Sequence, residues 1–160
     1  MKIVDVTPSN IEIYYNLTQA YEAEFSPLTK KFPDQKGKFA LDTEIGGNVK
    51  GFLLYIDEHP AGLAAIAVDE VEDGSLHCEV CDFYVVPLFR KNKAGQRFAH
   101  QLFAMMPGEW ESKQIEGAEH AIAFWRRAIG AYTDEQFIED IYSDPYWGEV
   151  TRQRFTVSVA

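Results

Sequence analysis

The sequence predicts one mixed α/β domain over residues 1–160, a sheet with helices on both faces. Three observations lead there. Apolar residues recur at helical spacing near the N-terminus, after residue 94 and after residue 118. Runs rich in β-branched and aromatic residues fill much of residues 49–86, separated by turn signals. Helix-like and strand-like segments then alternate up to a final strand, "RQRFTVSV".

The elements follow in order. In "SNIE", Ser9 and Glu12 have capping-box spacing and open a helix that runs to about Glu24. "SPLTKKFPDQKGK" holds two prolines and a glycine, so it reads as a loop or a broken second helix. Val49–Ile56 and Gly62–Val68 read as strands joined by the turn "DEHPAG". After the acidic turn "DEVEDGS" comes a third strand, "LHCEVCDFYVV", which Pro87 ends. From Ala94, the residues Phe98, Ala99, Leu102, Phe103 and Met106 mark the apolar face of a helix, stopped by "PG" at 107–108. "EWESKQI" is a short strand, and Ala118, Ala121, Ile122, Trp125 and Ile129 mark another helix. Thr133–Glu139 fits either a further capped helix or a strand around Gln136–Ile138.

Composition narrows the function classes. Hydrophobic residues make up 46% of the chain, enough for a real core. The net charge of −10 argues against sequence-independent nucleic-acid binding, which needs a broad basic surface. It suits a cationic partner such as an amine, although solubility alone also accounts for it. No apolar run reaches bilayer length and "MKIVDVTPSN" lacks a signal-peptide core, so a cytoplasmic protein with no membrane partner is expected. Cys78 and Cys81 form a C-x-x-C, but residues three apart on a strand face opposite sides, and no second pair completes a zinc site. Buried, reduced thiols and no metal are the expectation.

One stretch departs from the acidic background. Phe83–Gly108 contains no aspartate or glutamate, where the average predicts about four. It carries Arg90, Lys91, Lys93 and Arg97 instead, with Gly95 at the start of the helix. A helix N-terminus presents free N–H groups and partial positive charge, so a strand, a basic turn and a helix make an anion site suited to a pyrophosphate. A solvated basic turn explains the spacing equally well. Neither a Walker P-loop nor a G-x-G-x-x-G is present.

"YVVPLFRKNKAG" resembles the acyl-CoA loop of the GNAT superfamily of acyl-CoA-dependent N-acyltransferases. Val85, Pro87, Phe89, Arg90 and Gly95 fit that pattern, and Lys93 stands where its first glycine falls. "EHAIAFWRRAIGAYT" resembles the family's later helix through Ala121, Phe124 and Trp125, with Ala118 where asparagine is frequent. The element order agrees along the whole chain. The resemblance implies a GNAT-like fold, a mostly antiparallel central sheet with one splayed pair of parallel strands, the strand ending at Pro87 and the one near Trp110–Gln114. It implies acetyl-CoA as co-substrate and acetyl transfer to a primary amine of a small molecule, amino acid or peptide, by direct attack in a ternary complex. The pantetheine arm would lie along Phe83, Tyr84 and Val85. The pyrophosphate would lie on the turn Arg90, Lys91, Asn92, Lys93, Ala94, Gly95 and Gln96, with Phe124 and Trp125 beside the cofactor.

An amine is protonated at neutral pH, so a base is required. Glu79 lies where the family often carries its base, and simple alternation puts it on one face with Cys81, Phe83 and Val85, apolar company that would raise its pKa. A bulge, frequent in this strand of the family, would scramble that parity and bring in Asp82. The family's tyrosine acid for the leaving thiolate falls where this chain has Trp125, so Tyr132 becomes the candidate. Tyr21, Glu22 and Phe25 on the first helix would wall the acceptor site, with Glu24 and Asp69–Asp73 as attractors of a cation. The closing strands offer a surface for a homodimer. Two readings compete: a non-catalytic acyl-CoA-binding regulatory module, and a phosphate-binding interaction domain without CoA.

Overall fold

The structure, a computed structural model, describes residues 1–159. Seven strands form one sheet in the order β1-β2-β3-β4-β5-β7-β6. They are β1 (Lys2–Asp5), β2 (Val49–Ile56), β3 (His59–Glu70), β4 (Leu76–Val85), β5 (Gly108–Ile115), β6 (Ile138–Asp144) and β7 (Gly148–Val157). The helices are α1 (Ile11–Thr29), α2 (Ala94–Met105) and α3 (Glu119–Thr133). Neighbouring strands are antiparallel except β4 and β5, which run parallel. No helix is long and apolar enough to cross a membrane among the described residues.

Two apolar layers sandwich the sheet, as the mixed α/β expectation requires. Phe98, Leu102 and Phe103 of α2 and Trp125 and Ile129 of α3 pack with Phe52, Ile66, Trp110 and Phe155 on one face. Tyr14 of α1 packs with Leu53, Leu63, Ala65 and Tyr84 on the other. Strand alternation explains the division, because Phe52 and Leu54 point one way and Leu53 the other.

Several boundaries differ from the sequence reading. The Ser9–Glu12 capping box does not form. Asn10 is the N-cap residue, and its side-chain oxygen accepts from the Thr7 N–H at 2.8 Å. Helix α1 continues past Glu24 and through Pro27. Proline cannot donate to the Ala23 carbonyl, but the Ser26 hydroxyl does so at 2.7 Å, and the last turn survives. Lys30 then ends the helix in the left-handed region, at φ 59°. No second helix follows among the described residues before β2. Strand β1 was not anticipated from its four residues, and the ambiguous segment opens into β6. The turn between β2 and β3 is tighter than "DEHPAG", with Asp57 and Glu58 both at positive φ, the geometry of a two-residue hairpin.

Candidate functional site

Strands β4 and β5 pair only from Leu76–Glu79 to Gly108–Glu111. Gly108 opens this pairing: a Cβ there would lie 2.3 Å from the Leu76 carbonyl oxygen, at a φ of 151° that favours glycine. Beyond Glu79 and Glu111 the two strands have no ladder between them. A cleft of about 550 Å³ lies there.

The cleft's floor depends on a bulge. Ala65 pairs with Asp82 and Ile66 with Val80, so Cys81 is an extra residue in β4. Cys78, Val80, Phe83 and Val85 therefore pack with α2 and α3, while Cys81 and Tyr84 pack on the α1 side. The simple alternation expected for Glu79 fails for this reason. Glu79 does not share the apolar layer of Phe83 and Val85. It is 38% exposed and pairs with Lys113 at 3.1 Å. Asp82 holds the less solvated position. Burial pushes its carboxyl up to about 6, a Thr43 hydrogen bond pulls the other way, and the charges of Glu22 and Asp42 add to the rise.

Two lysines organise the remaining carboxylates. Lys31 donates to Glu22 at 2.8 Å, Asp42 at 2.7 Å and the Ala40 carbonyl at 2.9 Å. Lys113 lies 3.1 Å from Glu79, 3.1 Å from Glu111 and 3.3 Å from Asp144. Burial works against the Lys113 charge, but hydrogen bonds to Glu79 and Glu111 outweigh it and hold the ammonium above its ordinary range. Tyr21, Glu22 and Phe25 line the cleft from α1, with Asp42 from the loop after it. Tyr146 and Trp147, in the β6–β7 turn, line it too, and the Tyr146 hydroxyl donates to Asp42 at 2.9 Å. Burial pushes the Tyr21 hydroxyl far up, with the Asp82 charge next in effect, so Tyr21 stays protonated.

Ser112, Gln114, Ala121 and Trp125 line another part of the cleft. Ser112 and Gln114 are buried polar residues on the same side of β5 as Trp110. Gln114 donates to the Ser112 hydroxyl oxygen at 3.1 Å, which leaves the Ser112 proton free to be donated. Gln114 and Gln153 exchange two further hydrogen bonds, at 2.8 and 2.9 Å, and fix the amide's orientation. Trp125 meets Phe83 edge-on at a ring separation of 4.9 Å.

The turn after β4 has free donors. Pro87–Phe89 make one 3₁₀ turn, and Asn92 and Lys93 both take positive φ, 54° and 55°. The turn thus adopts left-handed backbone although lysine replaces the glycine of the family pattern. Lys91 N–H bonds Phe89, and Ala94 N–H bonds Lys91. The N–H groups of Asn92, Lys93, Gly95 and Gln96 find no acceptor among the described residues. Arg90 is occupied elsewhere: it donates to the Val85 carbonyl at 2.7 Å and to both Glu24 oxygens at 2.9 and 3.0 Å. Gly95 keeps this helix start open beneath Phe124, whose ring edge would lie 3.0 Å from a Cβ. Four free amides and a missing side chain fit a diphosphate.

The structure thus brings Glu79, Asp82, Phe83, Trp125, Tyr21, Glu22 and Phe25 to one cleft. Tyr132 stands apart. It packs against His100 and Phe103, in a separate groove with Glu109 and Phe137. Sequence reading missed Lys31, Asp42, Asp144 and Tyr146, which lie on loops or element ends without periodicity. Ser112 and Gln114 had a signal, polar residues at the positions alternating with Trp110.

Residues 13–131 match the sequence model of the acetyltransferase (GNAT) family. No curated protein matches the chain in sequence. Solved structures share the fold. Naa50 from Arabidopsis thaliana, in complex with a bisubstrate analogue, is 13% identical over 97% of each chain, with a TM-score of 0.62. The ribosomal-protein-S18-alanine N-acetyltransferase from Escherichia coli is 15% identical over 99% of this chain and 95% of its own, with a TM-score of 0.59. An acetyltransferase from Bacillus subtilis in complex with CoA is 10% identical over 98% of this chain and 99% of its own, with a TM-score of 0.57.

Proposed function

The chain belongs to the GNAT acetyltransferase family, and from that premise we propose that it moves an acetyl group from acetyl-CoA to a primary amine held in the β4–β5 cleft. One observation carries the reading. The splayed strands enclose a cleft with acidic residues along its wall, and β4 leads directly into a turn with four free amides. Two proteins of the same fold are seen in complex with CoA or a CoA bisubstrate analogue, and a third is a ribosomal-protein-S18-alanine N-acetyltransferase.

Acetyl-CoA supplies the acyl group already activated as a thioester. Asn92, Lys93, Gly95 and Gln96 would hold its diphosphate through main-chain N–H groups, and Phe83–Val85 would lie along the pantetheine. Asp82 takes the amine proton. Its pKa of about 6 makes it a stronger base than an ordinary aspartate, while it remains mostly ionised at neutral pH. Glu79, tied to Lys113, tunes the field rather than moving the proton. The nitrogen lone pair attacks the acetyl carbonyl and a C–N bond forms; as the adduct collapses the C–S bond breaks and the nitrogen gives up its second proton. The Ser112 hydroxyl would relay that proton, donating its own to the departing thiolate and regaining one from the nitrogen, so that no alkoxide is left behind. This gives Ser112 the role expected of Tyr132.

Thiol release from acetyl-CoA across an amine panel, coupled to calorimetry of CoA binding, tests the proposal. Turnover with at least one amine is expected. Tight CoA binding with no turnover on any amine would favour the regulatory-module reading.

A further inference from the structure

We propose that the acceptor is a small aliphatic diamine or polyamine, whose second ammonium group is recognised by carboxylates left in surplus around the cleft. This rests on the acetyl-transfer reading above and names its substrate class.

The charge balance points there first. Glu22 and Asp42 share Lys31, and Glu79, Glu111 and Asp144 share Lys113. Among the described residues no cation pairs directly with Asp82, and the Lys31 charge reaches it only as a minor influence. Glu111 lies outside the cleft lining, with His77 at 3.9 Å. The five carboxylates that line the cleft, Glu22, Asp42, Glu79, Asp82 and Asp144, face two ammonium groups, so even with Asp82 protonated two negative charges stay unbalanced. An acceptor carrying one ammonium, deprotonated for attack, would leave that surplus untouched. A second ammonium on the same molecule would neutralise part of it.

The lysines' own geometry points the same way. The carboxylate of a free amino acid would need a cationic donor in the cleft. Lys31 already spends its three N–H bonds on Glu22, Asp42 and the Ala40 carbonyl. Lys113 is held by three carboxylates. Neither has a donor to spare, so a carboxylate there meets only like charge.

The third observation is independent of charge. Tyr21, Phe25, Tyr146 and Trp147 line the cleft beside these carboxylates. Aromatic faces accept both methylene chains and ammonium groups. The Tyr146–Asp42 hydrogen bond ties the β6–β7 turn to the loop after α1. That strap makes the acceptor end a cup with aromatic sides, matched to a short flexible chain with charge at both ends.

The test is steady-state thiol release with acetyl-CoA and acceptors of matched length: putrescine, n-butylamine and γ-aminobutyrate, with an N-terminally free tripeptide alongside. Putrescine should exceed n-butylamine in kcat/KM by at least about 10-fold, and γ-aminobutyrate by at least about 100-fold, as expected for one added or reversed charge in a half-buried site. The putrescine advantage should shrink as salt rises. Asp42→Asn and Asp144→Asn should each reduce the putrescine-to-butylamine ratio by about 3-fold or more. Should either variant fail to fold, the salt dependence of the native enzyme carries the same discrimination. Equal use of butylamine and putrescine, a preference for γ-aminobutyrate, or a preference for the tripeptide would overturn this inference and leave acetyl transfer standing. Absence of thiol release with every acceptor, while acetyl-CoA still binds, would overturn both.

Discussion

Replacing Asp82 by asparagine separates the demands of function from those of folding. Burial raises the Asp82 pKa from the ordinary 3.8 to about 6. A shift of about two units corresponds to about 3 kcal/mol. The native state binds this proton more tightly than the unfolded chain does. Stability linked to Asp82 is therefore greatest below about pH 4 and falls as pH rises through about 6. Above that range the native protein carries a charge that water would solvate better. Asparagine has nearly the same shape, has no charge, and keeps an oxygen for Thr43. Urea unfolding of Asp82→Asn at about pH 8 should show a gain of up to about 3 kcal/mol, shrinking steadily toward about pH 4. Turnover should fall about 100-fold, the usual loss when a general base is removed. In the unmodified protein kcat/KM should rise with pH through about 6 as Asp82 loses its proton. Equal urea midpoints at about pH 8, or a gain independent of pH, would refute the claim that Asp82 is held as a strained carboxylate.

Gly95→Asp puts a carboxylate at the free amides and a Cβ 3.0 Å from the Phe124 ring; CoA affinity by calorimetry should fall at least about 100-fold, with the melting temperature nearly unchanged. Glu79→Gln leaves Lys113 bound to Glu111 and Asp144, so kcat should change less than about 3-fold, the scale of a half-exposed pair. Ser112→Ala should lower kcat by about 10-fold at unchanged CoA affinity, with the loss smallest for acyl donors whose leaving thiol is most acidic. Tyr132→Phe should leave kcat within about 2-fold, because its ring belongs to the α2–α3 packing; a loss like that of Ser112→Ala would reverse the two roles.

Much of this architecture was legible because periodicity reports burial. The apolar residues from Phe98 to Met106 do face the sheet, as do Trp125 and Ile129, whereas Ala118 and Ala121 line the cleft, and β2, β4 and β5 lie within a residue or so of their expected bounds. Local chemistry was readable only where it followed a pattern. The basic turn before Gly95 announced itself by the absence of acids. The end of α1 did not, because Ser26 compensates for Pro27 through a hydrogen bond that no spacing rule contains. The face of Glu79 was misjudged for a related reason: one extra residue, Cys81, inverts everything on one side of it. The acidic surroundings of the cleft come from five separate segments, and their convergence is a property of the tertiary fold. Asp42 and Asp144 are ordinary loop and strand-end acids until Lys31 and Lys113 draw them to the cleft.

The grip of main-chain amides on a diphosphate is tested most directly by titrating the protein with acetyl-CoA and with acetyl-pantetheine, which has the same thioester but no diphosphate. Acetyl-CoA should bind at least about 100-fold more tightly, the effect of several charge-assisted hydrogen bonds. Equal affinity for the two would contradict that grip.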